Sequence, residues 1–118
     1  MIPVSADTSV VFVARERLTP GVVVFVNFEL VTGREATLAE IDRLAETLLE
    51  TLDHISIVSQ IRHEIGTQTE ARVHQVVIEV DAARLPAEAA ACAEVERRLA
   101  EIAEVWVRDC AADRAVAP

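Results

Sequence analysis

Ile55-Ser56-Ile57-Val58-Ser59-Gln60-Ile61-Arg62-His63-Glu64-Ile65 runs into Gly66-Thr67-Gln68-Thr69-Glu70, and then into Arg72-Val73-His74-Gln75-Val76-Val77-Ile78-Glu79-Val80-Asp81. From His54 to Ile65, Ile55, Ile57, Ile61, His63 and Ile65 share one side, while Ser56, Gln60, Arg62 and Glu64 share the other. Alternation with period two predicts a strand with one buried and one wet face. The short polar segment with Gly66 reads as a hairpin loop, which makes 72–81 the antiparallel partner. Its inner side is His74, Val76, Ile78 and Val80, and its outer side Val73, Gln75, Val77 and Glu79.

Working outward, Thr19-Pro20-Gly21 is a turn signal. It is followed by a run rich in β-branched and aromatic residues, Val22 to Val31, which predicts a central strand whose even positions face the helices. Thr32-Gly33-Arg34 closes it. Thr37 then stands three residues before Glu40, the capping-box spacing. Ile41, Leu44, Ala45, Leu48, Leu49 and Leu52 recur at helical intervals behind it. Leu85-Pro86 opens a second helix striped by Ala89, Cys92, Val95, Leu99 and Ile102, because proline is tolerated in a first helical turn. Glu104 to Asp109 reads as a last short strand.

The order from Gly21 is therefore strand, helix, strand, strand, helix, strand. It predicts an α+β fold, a ferredoxin-like split βαβ sandwich (βαββαβ) with an additional N-terminal strand. Residues 1–118 are expected to form a single domain with its core at 21–109, a strand-like arm at 8–14 and a frayed tail at 111–118.

Composition narrows the function. The chain has 118 residues and a net charge of −9, from 20 acidic and 11 basic residues, every basic one an arginine. Such a chain lacks the basic stripe of a nucleic-acid or anionic-membrane binder. The missing lysines fit a bacterial chain from a GC-rich genome. Aromatic residues make up 3%, too few for stacking platforms. Cys92 and Cys110 form no CxxC or Cys/His ligand pattern, so no metal or cofactor is expected, and both read as thiols of a reducing cytoplasm. No leader or membrane span is expected either.

No motif for catalysis stands out: there is no GxGxxG, P-loop, HExxH or nucleophile elbow. The catalytic candidates are His63 and His74. A hairpin centred on Gln68 and Thr69 would oppose them on the inner face with Cβ atoms roughly 5 Å apart. A register shifted by two would pair His63 with Arg72 instead. Glu29, Glu64 and Glu79 are outward carboxylates, expected to be solvated.

The free face of the sheet is more telling. Val23, Phe25, Val58, Val73, Val77 and Trp106 are all expected to point away from the helices, and a solvated face does not ordinarily collect so many large apolar groups. Covering a few hundred Å² would gain several kcal/mol at about 25 cal/mol per Å². The expected partner is a second copy, in a homodimer joined through the sheets, with another protein as a further possibility. A cytoplasmic assembly or regulatory module is the leading expectation. A small-molecule-binding protein or enzyme with a His-containing pocket is the alternative.

Two families resemble the chain at the level of fold. Size, element order and the Val31-Thr32-Gly33-Arg34-Glu35 lead into a helix resemble the dimeric α+β barrel group that includes the antibiotic-biosynthesis monooxygenases. That resemblance implies sheet-to-sheet dimers with a pocket between sheet and helices. The stretch Arg72 to Asp81, a Leu85-Pro86-initiated helix and a short Val-rich strand resemble the cytoplasmic domain of cation diffusion facilitators. There a histidine usually ends the last strand, where this chain has Arg108-Asp109, so metal ligation does not carry over.

Overall fold

Val22, Val24 and Val26 on one strand and Val76, Ile78 and Val80 on its neighbour form the floor of the core. The computed structural model describes residues 10–14 and 21–116. Four strands make one antiparallel sheet: β1 (Val11–Val13), β2 (Gly21–Val26), β3 (Ser56–Ile65) and β4 (Glu70–Asp81), in the order β1-β2-β4-β3. Since β4 is antiparallel to both neighbours, β2 and β3 run parallel with β4 between them. Helices α1 (Phe28–Thr32), α2 (Leu38–Leu48) and α3 (Ala89–Val116) supply the other half of the core. The fold is thus α+β, with the even positions of β2 fully buried as their alternation requires.

The strand expected over Val22 to Val31 stops at Val26. Asn27 ends the ladder, and Phe28 to Thr32 coil into a short helix that swings the Phe28 ring into the core against Trp106, with centroids 5.2 Å apart. Gly33, at φ 77°, closes this helix in the left-handed conformation, its N–H donating to the Glu29 carbonyl. β propensity in Phe28-Glu29-Leu30-Val31 is overridden by that burial. The capping box of α2 is as expected: Glu40 N donates to Thr37 Oγ1 at 3.2 Å, and Thr37 N donates to Glu40 Oε1 at 2.9 Å.

The larger correction is at the C-terminal side. Glu104 to Asp109 is helix, not strand. Leu85-Pro86 does not open the helix; a 3-10 turn covers Ala82–Arg84 and α3 begins at Ala89. It then runs through the expected strand and into the expected frayed tail as far as Val116. Leu99, Ala103, Trp106, Val107 and Cys110 are its buried stripe, spaced three and four apart. The edge position beside β2 belongs instead to β1, from within the expected N-terminal arm. Residues 8 and 9 of that arm, the Thr19-Pro20 turn and the last two residues of the tail lie outside the described residues.

Candidate interface on the open face of the sheet

Pairing registers fix which side chains stand together on the face away from the helices. Phe12 opposes Phe25, Phe25 opposes Val77, and Val77 opposes Val58, so one apolar row crosses all four strands. The Phe12 and Phe25 rings stack with centroids 5.0 Å apart and planes inclined by 7°. Within this row Val77 is buried, the two rings are half-buried and Val58 is 37% exposed. Val23 and Val73, both half-buried, flank the row on the same face.

The next row is polar. Gln60 Nε2 donates to Gln75 Oε1 at 3.2 Å, and Gln75 Nε2 donates to Asn27 Oδ1 at 2.7 Å. Gln75 and Asn27 are almost wholly buried, so these bonds satisfy amides that would otherwise be costly to bury. They also tie the end of β2 to β4 and β3. Just beyond, where β2 has turned away into α1, Glu29 Oε1 accepts the His74 backbone N–H at 2.9 Å. Glu29 therefore closes the ladder rather than joining the face, and Glu64 pairs with Arg62. The outward carboxylates do not converge.

Trp106 is not on this face. It lies in α3, 8% exposed, and its indole N–H donates to the Glu40 carbonyl at 2.8 Å. Around Glu40 the loop after α1, the start of α2 and the end of α3 meet. Arg34 grips both carboxylate oxygens, at 2.9 and 2.7 Å, donates to the Cys110 carbonyl at 3.4 Å, and places its guanidinium 5.6 Å from the Phe28 ring centroid. The hydrogen-bonded Arg34, aided by the Thr37 donors, holds the Glu40 carboxyl down at about 2. Burial, with the Glu40 charge nearby, pushes the Cys110 thiol up to about 12, so Cys110 is a core thiol and not a nucleophile.

The two histidines fall in the shifted register. His63 opposes Arg72, and His74 opposes Ile61. They share the helix-side face as diagonal neighbours, roughly 7–8 Å apart in such a ladder, and not as a directly facing pair. His63 is exposed and His74 half-buried. Among the described residues no three His, Cys, Asp or Glu side chains are grouped to hold a metal ion.

Among the described residues, a cleft and a trench open on the helix side. A broad cleft of about 850 Å³ between α2 and α3 is lined by Arg43, Thr47, Arg98, Ile102, Val105 and Trp106 among others. An apolar trench of about 390 Å³ runs beside β3, walled by Ile41, Ala45, Leu49, Ile55 and Ile57, with Asp53 and His54 at its end. Sequence reasoning missed both. The cleft depends on α3 continuing past Glu104. The trench has a signal in the sequence: Ile41, Ala45 and Leu49 repeat every four residues along one flank of α2. Among the described residues no helix is long and apolar enough to cross a membrane. No family model matches this chain, and comparison with curated proteins and with solved structures finds no significant similarity.

Proposed function

We propose that this protein is a small cytoplasmic module that works through protein–protein contacts of its open sheet face, in assembly or regulation, with a second copy as the first occupant. The observation that carries the reading is the continuous row Phe12, Phe25, Val77 and Val58, flanked by Val23 and Val73, on a face against which no described helix packs. Its flat, rigid aromatic pair has the character of an interface anchor. The buried amide ladder beside it supplies a pre-organised polar border. In fold terms the reading is a ferredoxin-like sandwich in which β1 fills the edge position that the last strand would take, so that the chain order becomes ββααββα around the same sheet.

The other reading, a ligand-binding protein or enzyme with a histidine pocket, gains no support from the α2–α3 cleft, whose lining contains no histidine, and the trench beside β3 holds His54 but neither His63 nor His74. Sedimentation velocity on the wild type beside Phe25→Glu tests the proposal. Wild-type self-association that the substitution weakens is expected. An assembly state and partner binding that Phe25→Glu leaves unchanged would overturn it.

A further inference from the structure

The second place where this molecule is unfinished is the outer edge of β3. This strand is ten residues long and ends the sheet, so among the described residues nothing pairs with its outer backbone groups. Natural edges of that length are usually protected by charged side chains, proline, a bulge or an early stop. Ser56 to Ile65 contains no proline or glycine, and its charges are confined to Arg62 and Glu64 near one end, which leaves Ser56 to Ile61 uncharged. Apolar groups flank the edge on its helix side: Ile61 is 42% and Ile65 75% exposed, and the apolar trench opens beside Ile57.

We infer that two copies of this chain pair antiparallel through their β3 edges, centred on Ile61, with the Ile65 side chain of each seated in the α2–β3 trench of the other. The pattern of the strand argues for a second copy as the occupant. A two-fold axis perpendicular to a continuous sheet keeps helix-side residues opposite helix-side residues. Centring on Ile61 then opposes Ile57 with the second copy's Ile65, Ser59 with its His63, and Ile61 with its Ile61. Every apolar side chain of the helix side meets an apolar one, and every polar one a polar one. Ile57 lines the trench, so its opposite number, the most exposed isoleucine of the strand, arrives at the trench mouth.

Neighbouring registers fit worse. Centring on Arg62 sets two guanidinium groups against each other, and centring on Gln60 sets Ile57 against His63. Centring on His63 opposes two imidazoles and shortens the overlap. Charge points the same way. Two chains at −9 each repel, but Arg62 and Glu64 of β3 cancel and are ion-paired at 2.5 Å, so the edge carries no net charge. The edge strip alone, about 30 Å by 10 Å, falls short of the roughly 1,000 Å² that a specific interface needs. The two filled trenches supply the additional buried area. The resulting eight-stranded sheet leaves both open faces on one side, so the contact is separate from the one proposed for that face.

The test is cysteine trapping in the full chain with Cys92→Ser. Ile61→Cys is expected to form a covalent dimer under mild oxidation, whereas Ser59→Cys, facing His63 of the second copy, is not. Ile65→Asp, at an exposed position that the fold does not need, is expected to raise the edge-dimer Kd about tenfold or more. The trapped dimer should persist when Phe25→Glu is added, which separates this contact from the face. Failure of Ile61→Cys to cross-link, equal cross-linking by Ser59→Cys, or loss of trapping with Phe25→Glu would each overturn the inference.

Discussion

Arg34 holds both carboxylate oxygens of Glu40, at 2.9 and 2.7 Å, across the connection between α1 and α2. The same glutamate caps α2 through Thr37, and its backbone carbonyl receives the indole N–H of Trp106. One residue thus joins the first helix, the second helix and the end of the third. Its carboxyl titrates at about 2 in the folded protein, against about 4.3 in an unfolded chain. A depressed carboxyl contributes stability that is fully present above the unfolded value and is lost as pH falls towards the folded one. The contribution is about 2–3 kcal/mol at neutral pH, fading between roughly pH 4.5 and 2. Urea denaturation of wild type and Glu40→Gln should therefore differ by that amount at pH 7 and by less than about 1 kcal/mol at pH 2.5. A difference independent of pH would show that Glu40 acts by shape alone.

Helix at residues 104–109 makes Val105 and Val107 unequal. Val105 is 60% exposed, whereas Val107 is fully buried. A strand would have put both on one side. Val105→Asp is expected to change stability by no more than about 0.5 kcal/mol, and Val107→Asp to cost more than about 3 kcal/mol by burying an unpaired charge. Thermal melts followed by circular dichroism check this; comparable losses from the two variants would restore the strand.

The hairpin and the α2 capping box were legible in the sequence because each is a local pattern with little competition. The alternation from Ile55 to Ile65 and the Thr37–Glu40 spacing describe the same elements in either setting. Val105-Trp106-Val107 has strand propensity and helical spacing at once. The deciding information lay further back, in a stripe that continues unbroken from Val95 through Leu99, Ile102 and Ala103, with no glycine or proline after Pro86 until the chain's last residue. The open face was legible for Val23, Phe25, Val58, Val73 and Val77, whose phase is set by the ladder. Trp106 was misplaced along with its strand. The shifted hairpin register could not be read, since Gly66 to Thr69 permits two pairings that differ by two residues and leave the same side chains on each face.

Gly21 begins β2 with φ at 129°, and a Cβ there would stand 2.4 Å from the Val80 carbonyl oxygen. Backbone conformation and close approach both demand glycine. Gly21→Ala should cost at least about 1–3 kcal/mol in strain, and more as β2 is pushed off β4. Gly66→Ala is the comparison: its Cβ would stand 3.1 Å from the Thr69 side-chain hydroxyl, which can turn aside, and in ordinary contact with the Thr69 carbonyl oxygen at 3.9 Å. Urea midpoints should fall sharply for the first and little for the second. Equal midpoints would mean that the start of β2 yields freely.

Gln75 sits at the centre of the amide row, 1% exposed, accepting from Gln60 and donating to Asn27. Gln75→Met keeps the length of the side chain but withdraws a donor from the buried Asn27 oxygen. The expected cost is about 1–3 kcal/mol, because the desolvation of Asn27 is then poorly compensated. Gln60→Met removes the outer bond of the same row from an exposed residue, but it withdraws a donor from the buried Gln75 oxygen, and should cost about 0.5–1.5 kcal/mol. Amide hydrogen exchange adds a positional readout: Gln75→Met should speed exchange at Val26 and Asn27, where β2 leaves the sheet, while Val22 and Val24 stay protected. Uniform acceleration along β2 would mean that the row contributes only to global stability and does not hold the strand's end.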